Sequence, residues 1–299
     1  DDWGQNIYRI EVDGLEATLE LDEGLHTYLL FDGEKGDHTI RVTRRTAVDA
    51  GPTYFNYIRA NGKLKPTPRP ERRMLVVGDD HVTGYGVLGE DERCGFDYAT
   101  QDHGQAFGAI VAEYFGAELH TIAADGRGVA RNYDDSSIRT VPELLETTIP
   151  GSSRAWLPYR FQPDVVVVAL GASDFWNGDP GESFDVAYEQ LLTDLRRDYP
   201  DALVVSAIGP QYSGERREAM LESINGAVAA RASRGDQNVE FLALPLAADG
   251  RVLGCDWHAG IDSQLEMASV LAERISDRLD WDIGAQHGGL MLSELAGGR

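Results

Sequence analysis

The stretch Met74-Leu75-Val76-Val77-Gly78-Asp79-Asp80 decides the fold of this 299-residue chain. Its first four residues are apolar, which predicts a buried strand, and Gly78 ends the run before two acidic residues. Four further apolar runs alternate along the chain with helical patterns, and they lie at 119–123, 165–170, 203–208 and 239–244. Strands that alternate with helices predict a parallel sheet covered by helices on both faces. The pattern indicates a three-layer α/β domain over residues 73–280.

Residues 1–64 have a different pattern. Short segments of alternating apolar and polar residues end at Gly turns, as in residues 7–12 before Asp13-Gly14, and two more strands are expected at 26–31 and 54–58. Such segments predict a small β-sandwich. Residues 65–72 contain three prolines and form the expected linker. Residues 281–299 show no clear period and remain an unassigned C-terminal extension.

The composition excludes several classes of function. The chain has 50 acidic and 27 basic residues, a net charge of −23, which would repel nucleic acid and anionic membranes. No apolar run approaches the roughly 20 residues that span a bilayer. The two cysteines have no zinc-binding spacing. We therefore expect no nucleic-acid partner, no membrane insertion and no cofactor.

Four short blocks carry a resemblance to a known family. They are Val77 to Gly86, Asp125-Gly126-Arg127-Gly128, Gly171-Ala172-Ser173-Asp174 and Gly254-Cys255-Asp256-Trp257-His258. In this order they resemble the blocks of the SGNH/GDSL hydrolases, in the form that carbohydrate esterase family two has. Residues 38–46 and 62–64 are similar to the end of that family's jelly-roll domain. The resemblance implies a jelly-roll-like domain, then a flavodoxin-like SGNH domain, in a secreted or periplasmic protein that deacetylates oligo- or polysaccharide.

The resemblance also implies a role for each matched position. In the family, a serine attacks an ester carbonyl, a histidine removes its proton, and an aspartate orients the histidine. Here His258 would be the base and Asp256 would orient it, with the Gly126 amide as an oxyanion donor. Three positions depart from the pattern: Asp80 replaces the serine, Ser173 replaces the oxyanion asparagine, and Ala259 replaces the proline that usually follows the histidine.

Asp80 leaves four interpretations open, because a carboxylate has no proton for His258 to remove and opposes a developing oxyanion. The protein could be a pseudoenzyme that only binds carbohydrate. Asp80 could instead be a nucleophile or base, even in a glycosidase with Asp256 or Asp174 as the second carboxylate. It could be an engineered change in an ordinary esterase. Finally, a metal site could use Asp80, His81, Asp256 and His258.

The same strand-end loops supply further candidates. Tyr133, Trp176 and Trp257 are predicted to contact sugar rings, and Asp174 is expected beside the substrate or oxyanion. Cys94 follows the first block, and Cys255 directly precedes Asp256. If the blocks converge as in the family, these loops are neighbours, and a Cys94–Cys255 disulfide is predicted.

Overall fold

The structure is a computed structural model that describes residues 2–245 and 253–284. The chain begins with a three-stranded antiparallel sheet of order β2-β1-β3, formed by β1 (Ile7–Val12), β2 (Leu15–Glu20) and β3 (Ile40–Arg44). Asp13 and Gly14 both have positive φ, which suits a two-residue hairpin turn. The small β domain expected at the N-terminus is therefore present.

Two segments that were expected to be strands have no regular structure. Residues 26–31 and 54–58 pair with no strand, so those two predictions are wrong. Alternation predicts a strand only where one face is buried. Here Leu29 and Phe55 are largely exposed, and neither segment has a buried face to hold it in register.

The second sheet has five parallel strands in the order β5-β4-β6-β7-β8. The strands are β4 (Arg73–Gly78), β5 (Glu118–Ala123), β6 (Val165–Ala169), β7 (Leu203–Ile208) and β8 (Val239–Ala243). The helices are α1 (Asp80–Thr83), α2 (Phe107–Tyr114), α3 (Val141–Leu145), α4 (Glu182–Asp198), α5 (Gly214–Ser233) and α6 (Ile261–Leu279). This is the flavodoxin-like order, and the α/β prediction is confirmed.

The core has two layers because neighbouring strand residues point to opposite faces of the sheet. Leu75 and Val77 pack with α4 and α5 around Phe184 and Tyr188. Met74 and Val76 lie on the other face, where α2 and α6 cover them. All four of these strand residues are fully buried, as the continuous apolar run requires.

The two sheets are joined by a buried polar contact. Arg9 and Arg45 both bind Asp102, at 2.7 Å and 3.1 Å. The Ala47 amide donates to the Gln101 side-chain oxygen at 2.8 Å. Asp102 and Gln101 are buried, so this junction fixes the N-terminal region against the loop that follows α1.

The described part of the predicted C-terminal extension packs on the α/β domain. Trp281 meets the Phe115 ring edge-on at 5.3 Å, and the Gly284 amide donates to the Tyr114 carbonyl at 2.9 Å. Residues 285–299 lie outside the described residues. Within the described ranges, no helix is long and apolar enough to cross a membrane.

Candidate active site

The candidate site lies at the carboxyl end of the parallel sheet. Asp80 follows β4, Gly126 follows β5 and Ser173 follows β6, so three neighbouring strands deliver three of the predicted residues to one edge. His258 approaches from the loop before α6. In a sheet of this order the direction of winding reverses beside β4, which is where such folds bind ligands.

The Asp80 carboxylate joins the oxyanion position to the histidine. Its Oδ1 accepts a hydrogen bond from the Gly126 amide at 2.8 Å. Its Oδ2 lies 3.9 Å from His258 Nε2, which is an ion-pair distance and longer than a hydrogen bond. Both side chains are almost completely buried. The amide expected to stabilise an oxyanion is therefore already bonded to the protein's own carboxylate.

The two groups shift each other's pKa. Burial alone would raise the pKa of Asp80, but attraction to His258 and the Gly126 hydrogen bond outweigh it, and the pKa falls below its usual value. Burial would lower the pKa of His258, yet the Asp80 charge raises it above the usual value. Both shifts favour a carboxylate–imidazolium pair.

Several contacts fix the loop that carries His258. Cys94 and Cys255 form the predicted disulfide, with Cα atoms 4.7 Å apart. The Cys255 amide donates to the Gly86 carbonyl at 2.9 Å. A side chain at Gly86 or Gly89 would collide with Cys255, so both positions need glycine. The Tyr85 ring packs on the His258 ring at 4.2 Å.

The partner of His258 Nδ1 differs from the prediction. Nδ1 lies 3.2 Å from the Cys255 carbonyl oxygen. The Asp256 carboxylate instead accepts hydrogen bonds from the Tyr85 hydroxyl at 2.8 Å and the Phe96 amide at 3.0 Å. Asp256 has a left-handed backbone conformation, φ 51°, which directs its side chain to the disulfide loop. The expectation that Asp256 orients His258 directly is corrected: Asp256 fastens the loop, and a main-chain carbonyl faces the imidazole.

Ser173 also differs from its expected role. Its hydroxyl and its amide both donate to Asp79 Oδ2 at 3.4 Å. The Ser173 hydroxyl is therefore directed at the Asp79 carboxylate. Asp79 is fully buried, and burial together with the Asp80 charge raises its pKa well above the usual value.

Asp174 is structural, contrary to the prediction that it contacts substrate or oxyanion. Its carboxylate is fully buried and accepts hydrogen bonds from the amides of Val129, Ala130 and Arg131, at 2.8 to 3.0 Å. The Arg131 guanidinium donates to the Asp174 carbonyl at 2.9 Å. Asp174 thus shapes the turn after Gly126 and presents no free carboxylate to a ligand.

These positions bear on two of the open interpretations. A glycosidase would need a second carboxylate open to substrate. Asp174 is buried and held by backbone amides, and Asp256 is exposed but binds Tyr85 and Phe96 through its Oδ2. For the metal hypothesis, no set of three His, Cys, Asp or Glu side chains among residues 2–245 and 253–284 could hold a metal ion. His81 is buried with its ring 6.2 Å from that of His258, and burial followed by the His258 charge lowers its pKa to about 4.

The three aromatic side chains that were predicted to contact sugar rings are all solvent-accessible. The exposed fractions are 56% for Tyr133, 47% for Trp176 and 67% for Trp257. Tyr133 lies against Gly126, since a β-carbon built there would be 2.4 Å from the ring. The Asn177 side chain donates to the Tyr133 carbonyl at 3.0 Å and so ties the Trp176 loop to the Tyr133 loop. Trp257 directly precedes His258.

One carboxyl group of the site was not singled out as a candidate from the sequence. Asp125 precedes Gly126, and its side chain contacts the Thr83 hydroxyl and the Gln101 amide. Burial, followed by the charges of Asp80 and Asp49, raises the pKa of Asp125 to about 7. Its place at the end of β5, directly before the proposed oxyanion glycine, is the signal that could have identified it.

Comparison with known proteins agrees with the fold described above. Residues 76–270 match the GDSL-like lipase/acylhydrolase family. The chain is 28% identical over 93% of its length to the cellulase/esterase CelE of Acetivibrio thermocellus. It is 25% identical over 89% of its length to an acetylxylan esterase/glucomannan deacetylase of Cellvibrio japonicus, and it spans 74% of that protein. The chain spans only 35% of the length of CelE.

A solved structure shows the same architecture. The family two carbohydrate esterase of Clostridium thermocellum, in complex with cellohexaose, superposes with a TM-score of 0.90 and 27% identity. The alignment covers 94% of this chain and 88% of that one. The similarity therefore includes the N-terminal sheet as well as the α/β domain.

Proposed function

The chain belongs to the GDSL-like lipase/acylhydrolase family, and from this premise we propose that it is a carbohydrate-binding protein of the esterase type. Its ligand would be an acylated oligo- or polysaccharide, and Asp80 would prevent ordinary ester hydrolysis. One observation carries the proposal: the Asp80 carboxylate occupies the Gly126 amide and faces His258. The cleft thus contains a charged group where an ester carbonyl would have to react.

Three properties of this pair oppose acyl transfer. A carboxylate has no hydroxyl to be activated by a base. A His258 imidazole with a raised pKa is protonated over more of the neutral range and cannot then accept a proton. The Gly126 amide is already occupied, and one lost oxyanion donor alone costs about 10²–10³ in rate.

The carbohydrate ligand follows from the surroundings of the pair. Tyr133, Trp176 and Trp257 are exposed in loops at the edge of the sheet that holds Asp80. Aromatic side chains of this kind combine an apolar ring with a polar group. The named relatives are carbohydrate esterases, and one of them is in complex with cellohexaose. The disulfide also suits a secreted protein, because such bonds persist in oxidising compartments.

Two measurements on the same protein test the proposal. Calorimetric titration with cello-, xylo- and gluco-manno-oligosaccharides, each with and without acetyl groups, should give saturable binding to at least one of them. A chromogenic acetate ester and the acetylated oligosaccharides should show no enzyme-dependent release of acetate. Binding to none of them would exclude the carbohydrate ligand, and rapid acetate release would exclude the assigned role of Asp80.

A further inference from the structure

The side chain of Asp125 is held between a hydroxyl and an amide whose orientations can be deduced. Gln101 accepts a hydrogen bond from the Ala47 amide through its side-chain oxygen, at 2.8 Å. Its Nε2 therefore faces Asp125 Oδ2 and donates to it at 2.9 Å. Oδ2 acts as an acceptor, which leaves Oδ1 as the atom on which a proton could lie.

Oδ1 contacts the hydroxyl of Thr83, which has a second acceptor nearby. Thr83 Oγ1 lies 3.1 Å from the carbonyl oxygen of Asp80, three residues earlier, and it also contacts Asp125 Oδ1. A threonine hydroxyl has one hydrogen, and in helical turns it commonly bonds the carbonyl three or four residues back. If the hydrogen goes to Asp80, the contact with Oδ1 needs a hydrogen on Asp125.

The charges around Asp125 also oppose its ionisation. The titratable groups that reach it are Asp80 and His258 from the cleft, Asp49 from the N-terminal region, and the phenols of Tyr85 and Tyr98. Asp49 Oδ2 accepts the Asp125 amide at 3.3 Å, so a second carboxylate lies against the same residue. The cation in this group, His258, is shared with Asp80.

We propose that Asp125 is a positioning residue that works as a neutral carboxylic acid, with its Oδ1–H donating to Thr83. The acid connects the peptide that leads to Gly126 with the helical turn that begins at Asp80. It thereby holds the Gly126 amide at the Asp80 carboxylate. This inference concerns the free protein and holds whether or not the cleft binds carbohydrate.

The variant Asp125→Asn tests the inference, because an amide reproduces the neutral acid. Its Nδ2 can donate to Thr83 while its oxygen accepts from Gln101. The matched control is Asp174→Asn, where both carboxylate oxygens accept backbone N–H groups and an amide nitrogen must face one of them. At pH 8 we expect Asp125→Asn to fold with stability equal to or above that of the native protein, and Asp174→Asn to be less stable than the native protein.

The pH dependence gives a readout that packing alone would not change. The pKa of Asp125 is about 7 when folded and about 3.9 in an unfolded chain. A raised folded pKa contributes stability that is complete below pH 4 and is lost as pH rises towards 7. We therefore compare the folding equilibrium constants of the native protein and of Asp125→Asn. Their ratio should fall about tenfold per pH unit between about pH 4 and 7, and it should stay constant above pH 7.

A second measurement needs no variant. In ¹³C-labelled native protein, the side-chain carboxyl carbon of Asp125, assigned through its backbone, should have the chemical shift of a protonated acid at pH 6. It should move to that of a carboxylate near pH 7. An ionised carbon signal at pH 6 would overturn the proposal. So would an Asp125→Asn variant whose stability relative to the native protein does not change with pH between about 4 and 7.

Discussion

The loop that carries His258 and the pocket that contains Asp80 face each other, yet they differ in how their groups are held. The His258 loop has a complete set of supports: the disulfide, the Asp256 anchor and the Tyr85 ring. In the Asp80 pocket, the Gly126 amide is in place but bonds a carboxylate instead of awaiting an oxyanion. The His258 loop is thus held by its own contacts, and we propose that the departure from the esterase pattern that matters for reactivity lies at Asp80 and Ser173.

The largest effect is expected when the family's serine and asparagine are restored at positions 80 and 173. Asp80→Ser supplies a hydroxyl, frees the Gly126 amide and removes the charge beside His258. Loss of the nucleophile lowers kcat by about 10⁶ in a serine protease. A restored hydroxyl should therefore give measurable acetate release, which we expect to be weak while Ser173 still replaces the oxyanion asparagine. Adding Ser173→Asn should raise the rate by a further factor of about 10². Hydrolysis of a chromogenic acetate measures both steps.

Two outcomes of this experiment have opposite meanings. His258→Ala in the double-substituted protein should abolish the gained activity, since no base would remain. If the native protein already matches the double variant on acetyl esters, Asp80 is no obstacle and the comparison is wrong.

Removal of the disulfide tests the framework of the His258 loop. The bond joins residues 161 positions apart, and a crosslink of this span typically contributes roughly 2–5 kcal/mol. We expect Cys94→Ala/Cys255→Ala to lower the free energy of unfolding in urea by that amount. A loss below about 0.5 kcal/mol would show that the loop is held by its other contacts.

The ion pair between Asp80 and His258 should stabilise the protein most strongly over a limited range of pH. The pKa of His258 is raised in the folded protein. Its contribution to stability is therefore complete below its usual pKa of about 6.5, and it is lost as pH rises through the folded pKa. The pKa of Asp80 is lowered in the folded protein. Its contribution to stability is therefore complete above the usual aspartate pKa of about 3.9, and it is lost as pH falls through the folded pKa. The stability difference between the native protein and Asp80→Asn should therefore be largest between about pH 4 and 6.5.

An NMR titration of the imidazole provides the direct measurement. In Asp80→Asn the pKa of His258 should fall, because burial is then opposed by no carboxylate at Nε2. Each pKa unit corresponds to about 1.4 kcal/mol of interaction. An unchanged His258 pKa would mean that the pair does not form in solution.

The smallest expected effect concerns the cleft aromatics. Trp257→Ala should weaken oligosaccharide binding about tenfold, or about 1.4 kcal/mol, without changing stability. Tyr159 is a matched control: it is 73% exposed but precedes β6 and so lies towards the opposite edge of the sheet. Tyr159→Ala should leave the affinity unchanged in calorimetry, and equal losses for both variants would place the ligand elsewhere.

The sequence predicted the parallel sheet because apolar strand runs such as 165–169 report burial on both faces. It also placed Asp80, Gly126 and His258 together, since strand ends of one sheet meet at one edge. It failed for residues 26–31 and 54–58, whose apolar side chains have no partner strand.

The roles of Asp256, Asp174 and Asp125 could not be predicted from the sequence for a different reason. Each is an aspartate in a strand-end loop, and its type and spacing do not reveal which donors surround it. Asp256 is turned by a left-handed backbone, Asp174 is saturated by amides, and Asp125 lies between a hydroxyl and an amide. Hydrogen-bond partners in loops depend on the folded path of several segments at once.

The Cys94–Cys255 bond has a consequence for the response of the protein to proteases. Its span includes β5, β6, β7 and β8, so a protease that cuts one exposed peptide between the two cysteines does not release a fragment. The two pieces stay covalently joined next to the cleft. A nicked molecule would migrate as a single species on a non-reducing gel and as two after reduction, because the disulfide joins the two parts of the broken backbone.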